Sequence, residues 1–300
     1  MVGVSGLNLA NVLLVILVIA GLIFLFFFVQ DYRNSYLNGE IEKEGGVVVF
    51  SLTGLIINFF DTLGIGGFAP MTVIFRQFKL VNDRVIPGTL NTAMCIPVVV
   101  EALIFIKEVK VGSITLVSMI FSAVVGAVFG AGIVSKMSEK KIQRWMAIAL
   151  FAVVVIMIAG KLGIMPTGGE ATRLTGVKLL IAVVGNFILG ALMTLGIGLY
   201  APCMALVYSL GLSPIVAFPI MMGSCAFLMP AASIRFIKED SYNRRATLII
   251  TLTGIVGVII AAYIVKALPL NVLGWLVIVV VSYTATKLML DSRKTDTNIT

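Results

Sequence analysis

Apolar residues along this chain come in long blocks separated by short polar stretches, with no strand-like alternation. A bilayer-crossing helix needs about 20 apolar residues at about 1.5 Å of rise each. Residues 9–29, 85–106, 112–134, 145–160, 214–236, 246–265 and 271–290 meet or nearly meet that length. The first block has no basic segment before it and no small-residue cleavage site after it, so it reads as a retained helix. Polar connectors fill 30–46, 76–84, 135–144, 161–176 and 237–245, and 291–300 is a polar tail.

Two further blocks are broken. Residues 47–60 are apolar, a Gly-rich stretch ends at Pro70, and only the short piece 71–78 follows. Residues 177–193 are apolar, a matching stretch ends at Pro202, and the short piece 203–210 follows. The interruptions align without gaps at an offset of 132, with seven of nine positions identical between 62–70 and 194–202. The offset also maps Pro87 onto Pro219, and Asn91 and Thr92 onto Gly223 and Ser224. We read a duplication: 1–46 is an N-terminal helix and connector, 47–160 the first repeat, 161–176 a linker, 177–290 the second repeat, and 291–300 a tail.

An eight-residue helical piece covers roughly 12 Å, too little for a hydrocarbon core of about 30 Å. Each broken element is therefore expected to enter and return as a re-entrant hairpin. Three true crossings per repeat is an odd number, so the halves are inverted. The expected fold is an all-α polytopic membrane protein of two inverted repeats, each with a Gly/Pro-broken re-entrant element, plus one extra N-terminal helix.

Charge refines this picture. The chain carries 22 Lys and Arg against 14 Asp and Glu, a formal +8. In the hairpin topology one side holds two basic residues in 30–46, three in 76–84, four in 135–144, four in 235–245 and three in 287–294, against six on the other. The basic-rich side is cytoplasmic by the positive-inside rule. This puts the N-terminus outside and the C-terminus inside a plasma membrane. No basic run is long enough for a nucleic-acid-binding arm, so none is expected.

Composition removes whole classes of chemistry. With 60% hydrophobic and 12% charged residues the chain is no ordinary soluble enzyme. There is no histidine, hence no HExxH zinc site, His base or haem ligand. No Gly-x-Ser-x-Gly or paired catalytic carboxylates argue for an intramembrane enzyme. Cys95, Cys203 and Cys225 lie in apolar segments at no metal-ligand spacing and read as small buried hydrophobes. Cys203, directly after the second break, is also a candidate contact for a sulfur-containing ligand. No metal or cofactor is expected.

Paired breaks in equivalent positions of two halves are a pointer to a transport site. Irregular backbone at membrane depth must line a cavity or be buried in protein. A helix restarting after a break presents free N–H groups and partial positive charge, which suits a small anion. The candidate binding residues are Gly64, Gly66, Gly67, Gly196 and Gly198, with Asn91, Thr92 and Ser224 as hydroxyl and amide donors. The same three polar residues equally suit helix–helix hydrogen bonds. Asp61, at the first break, suits proton coupling, a pairing with Arg76, or a capping role. Glu101 reads as reaching the interface or pairing with Lys107. Arg76 and Arg84 read as topology determinants, and Gly126 with Gly130 forms a GxxxG packing signal.

The duplicated break and the Pro87, Gly88, Thr89, Asn91, Thr92 helix start resemble the sulfite exporter family of TauE/SafE type over roughly residues 47–290. The second half departs from the family pattern, with Leu199 and Tyr200 where further glycines are expected. The resemblance implies a secondary transporter, an exporter in the leading reading, for a small sulfur-containing anion such as sulfite, sulfate, thiosulfate or a sulfonate. It also implies proton coupling. A passive anion channel of the same fold is the alternative, and a homodimer is compatible with either.

Overall fold

In a computed structural model the chain is described over residues 9–43, 45–63, 66–105, 111–164, 168–196, 198–263 and 270–293. These fold into eleven α-helices: α1 Leu9–Leu37, α2 Val47–Thr62, α3 Phe68–Gln77, α4 Ile86–Phe105, α5 Ser113–Val134, α6 Glu139–Lys161, α7 Gly176–Met193, α8 Tyr200–Ser209, α9 Pro214–Lys238, α10 Arg244–Tyr263 and α11 Leu270–Asp291. No strand occurs among the described residues; one isolated bridge joins Ala171 and Leu212. Seven helices there are long and apolar enough to cross a membrane: α1, α4, α5, α6, α7, α9 and α10. This is a multi-pass, membrane-embedded protein. The α7 helix, which follows the apolar block 177–193, has 18 residues and by itself reaches spanning length.

The helix ends gather at two poles. At the first, Arg76 at the end of α3 pairs with Asp83 before α4 and with Asp291 at the end of α11 (2.9 and 2.8 Å). Gln143 in the first turns of α6 donates to Asp83. Arg244, opening α10, binds Asp31 of α1, Glu42, and Asp240 beyond α9. Arg245 reaches the Lys43 carbonyl just ahead of α2, and Lys136 after α5 lies 3.7 Å from Glu239 after α9. At the second pole Thr115 of α5 accepts from the Leu174 N–H before α7. Lys178 of α7 donates to the Leu210 carbonyl at the end of α8. The α2–α3 pair thus begins and ends at the first pole, and α7–α8 at the second.

Packing follows the offset. The bounds of α3 and α8 differ by 132 at both ends, and each helix has ten residues. The helix α2 packs on α10 as α7 packs on α5, and α4 on α10 as α9 on α5. Two pairs of equivalents also touch directly, α4 with α9 and α6 with α11. The α4–α9 pair is antiparallel: Gly88 near the start of α4 lies against Phe236 and Ser241 at the end of α9. The N-terminal helix α1 leans on α9 and α4.

Two glycine seams explain the closest approaches. In lipid no hydrophobic force draws helices together, so association relies on van der Waals contact and small residues. Gly126 and Gly130 of α5 lie against the backbone of Phe187 and Ala191, and Gly190 of α7 against Ala123. The GxxxG spacing is therefore a seam, as read. Gly54 of α2 and Gly257 of α10 make the equivalent contacts with Ile250 and Leu55. Polar bridges join further helix pairs: Thr92 of α4 meets Thr247 of α10 at 2.7 Å, and Asn186 of α7 donates to Ser224 of α9 at 2.9 Å.

Candidate functional site

The first break follows Thr62, whose hydroxyl bonds back to the Asn58 carbonyl. The chain resumes as α3 after Gly67, an N-cap without a side-chain acceptor. Pro70 sits in the first turn, where its missing N–H costs no intrahelical bond. The second break follows Thr194, and α8 restarts after Leu199, also without a side-chain cap. Gly66 and its equivalent Gly198 have φ of +86° and +73°, which a residue with a Cβ adopts only with strain. Gly64, also expected at the site, lies outside the described residues.

The breaks meet. A methyl on Gly198 would stand 4.0 Å from the Phe68 Cβ, and one on Gly196 would stand 3.9 Å from the Thr72 Oγ1. The starts of α3 and α8 are thus neighbours, although their sequence positions are 132 apart. Two bare helix N-termini converge in the protein interior, an arrangement that attracts negative charge.

Part of that attraction is already used. The Gly67 N–H hydrogen-bonds the buried Asp61 carboxylate, so the first charge at the start of α3 is the protein's own. The pairing of Asp61 with Arg76 does not form. Arg76 is held at the first pole by Asp83 and Asp291, and it ties α3, α4 and α11 together there. Arg84 is exposed at the same pole.

Glu101 also departs from expectation. It is 1% exposed instead of lying at an interface, and Lys107 falls outside the described residues. The Tyr200 hydroxyl, from the first residue of α8, donates to the Glu101 Oε1 at 3.2 Å. Asp61 and Glu101 lie close enough for their charges to repel. The site therefore holds two carboxyl groups, one from α2 and one from α4, beside a phenol from the second half. Sequence reasoning missed this triad, though two signals existed. Glu101 is the one charged residue in the block 85–106, and Tyr200 places a hydroxyl where the first half has Phe68.

The other candidates are in helix seams. The Asn91 Nδ2 donates to the Pro87 carbonyl, while its Oδ1 is buried with no partner among the described residues. Thr92 is engaged with Gly88 and Thr247, and Ser224 with Asn186. Thr92 and Ser224 thus hydrogen-bond across helices, whereas the Asn91 amide bonds within its own helix, and Leu90, not Asn91, meets Gly196. The three cysteines are buried and unpaired, as read. Beyond that reading, they gather around Cys225, which also faces Met193 at 3.8 Å and stands near Asp61 and Glu101.

Among the described residues no group of three or more Cys, Asp or Glu is placed to hold a metal ion. No protein-family model matches the chain, and neither a curated protein nor a solved structure is detectably similar to it.

Proposed function

We propose that this protein is a secondary transporter that moves a small sulfur-containing anion across the plasma membrane by alternating access, coupled to protons. The observation that carries the reading is the meeting of two matched breaks, each restarting as a ten-residue helix whose N-cap residue supplies no side-chain cap. A scaffold has no use for irregular backbone at this depth, whereas a substrate site does.

The topology proposed is an inverted repeat with re-entrant hairpins at α2–α3 and α7–α8. Support comes from each pair beginning and ending at one pole, on opposite poles in the two halves. The antiparallel packing of the equivalent helices α4 and α9 points the same way, because a two-fold relating antiparallel neighbours lies across them. The basic connectors collect at the first pole, which we assign to the cytoplasm, with the C-terminus there and the N-terminus outside.

Coupling follows from competition at the start of α3. While Asp61 is ionised it occupies the Gly67 N–H and repels an incoming anion. A proton on Asp61 removes the charge and frees that donor, so anion and proton bind together. The resemblance to sulfite exporters supplies the substrate class. The test is uptake of radiolabelled sulfite, sulfate and sulfoacetate by proteoliposomes under imposed pH gradients. The expected result is pH-driven accumulation of at least one of them, abolished by Asp61→Asn. No flux of any of the three under either gradient sinks the proposal.

A further inference from the structure

Within that transport reading, Asp61 has a partner that the coupling scheme does not yet use. We infer that Glu101 is a second proton-carrying residue, and that at neutral pH the proton of the Asp61–Glu101 pair resides on Glu101, with Tyr200 steadying its other oxygen across the repeat boundary.

The two carboxyl groups have unequal company. Asp61 accepts the Gly67 N–H and lies at the positive end of α3, two features that favour its anion. Glu101 receives one phenol hydrogen bond on Oε1, at 3.2 Å, and its Oε2 is buried with no partner among the described residues. The titratable groups that face it are Asp61 from α2, Tyr200 from α8 and Cys225 from α9. None of these is a cation. Burying an ionised carboxylate without a counter-charge is costly, and two neighbouring carboxylates do not both ionise. One proton therefore serves the pair, and it goes to the member with the poorer anion support. As an acid, Glu101 gains an O–H at the oxygen that now lacks a partner.

The offset adds an independent argument. The position equivalent to Asp61 is Met193, and that equivalent to Glu101 is Ser233, whose hydroxyl bonds the Asn91 carbonyl. The equivalent of Tyr200 is Phe68. The frame is duplicated but the triad is not, so nothing in the packing of the repeats requires these three residues. A single proton-handling site in one half accounts for them.

Infrared spectroscopy tests this on the purified full-length protein in nanodiscs, with no transported anion present. A protonated buried carboxyl gives a carbonyl stretch apart from the amide bands. At neutral pH the wild type is expected to show such a band, Asp61→Asn to keep it, Glu101→Gln to lose it, and Tyr200→Phe to shift it upward at unchanged intensity. A wild type without the band, a band that survives Glu101→Gln, or one lost in Asp61→Asn overturns the assignment. The Tyr200→Phe shift reads the same carboxyl in a chain that retains Glu101, so misfolding of one variant does not decide the matter. Failure of the flux measurements would leave the spectrum intact, and a failed spectrum would leave pH-driven flux intact, so the two ideas fall separately.

Discussion

The seam between α5 and α7 has so little room that one methyl group tests it. A Cβ at Gly126 would stand 2.8 Å from the carbonyl carbon of Phe187 and 3.1 Å from its Cα, and closer still to its oxygen. Ordinary contact begins at 3.4 Å, so Gly126→Ala requires the two backbones to part. A gap of about 0.5–1 Å forfeits a quarter to a half of each contact's attraction. Overpacking of this kind costs about 1–3 kcal/mol, and the better helix propensity of alanine returns less than about 1 kcal/mol. The net expectation is a loss of about 1–2 kcal/mol, or roughly 5–30-fold in the folded population. The control is Gly132→Ala on the same helix, where a Cβ meets nothing closer than the Arg235 side chain at 3.4 Å. Reversible unfolding in mixed micelles with increasing SDS, followed by circular dichroism, measures both. If Gly126→Ala unfolds at the same SDS fraction as Gly132→Ala, the close-packed seam is wrong.

Other expectations use the polar ties. Arg76→Gln removes the cation shared by Asp83 and Asp291 at the rim of the protein and should cost about 1–3 kcal/mol in the same unfolding assay. Lys136→Ala, whose side chain is 63% exposed, should cost no more than about 0.5 kcal/mol. A double-mutant cycle on Thr92→Val and Thr247→Val should return a coupling of about 0.5–1.5 kcal/mol, and additive single effects would contradict the 2.7 Å contact. Burial, then the hydrogen bond to Asp31, hold the Tyr242 hydroxyl above the usual phenol range. Unfolded, it ionises near about pH 10, so its stabilising share is complete below that pH and declines above it. Tyr242→Phe should flatten that alkaline decline. A cysteine at position 138, between α5 and α6, should react only with reagents applied from the cytoplasmic side.

The sequence exposed the frame more fully than the site. Block lengths located most of the helices, and the 132-residue offset between breaks reappears in the bounds of α3 and α8. The Asp61–Gly67 contact was within reach because only six positions separate the partners. Glu101 was misread because its neighbour in sequence, Lys107, suggested an interface, while its partner Tyr200 is 99 positions away and arrives only when α8 folds back. The alternative pairing of Asp61 with Arg76 fails for the same reason, because Arg76 meets Asp291, 215 positions distant. Thr92 and Ser224 suited two roles by residue type, and their partners Thr247 and Asn186, 155 and 38 positions away, come into view only in the fold. Block counting also cannot tell a long hairpin arm from a crossing, and the 18 residues of α7 are long enough for either.

The unequal chemistry of the two halves has an energetic consequence. For any chain built from interchangeable halves, a conformation and the one obtained by swapping their roles have equal free energy, and neither is preferred at rest. Identical residues would leave this protein so balanced. Replacing Met193 and Ser233 equivalents by Asp61 and Glu101, and a phenyl ring by the phenol of Tyr200, lifts that degeneracy. Under the alternating-access proposal the bias tracks the ionisation of one half, so ambient acidity sets which way the resting molecule faces.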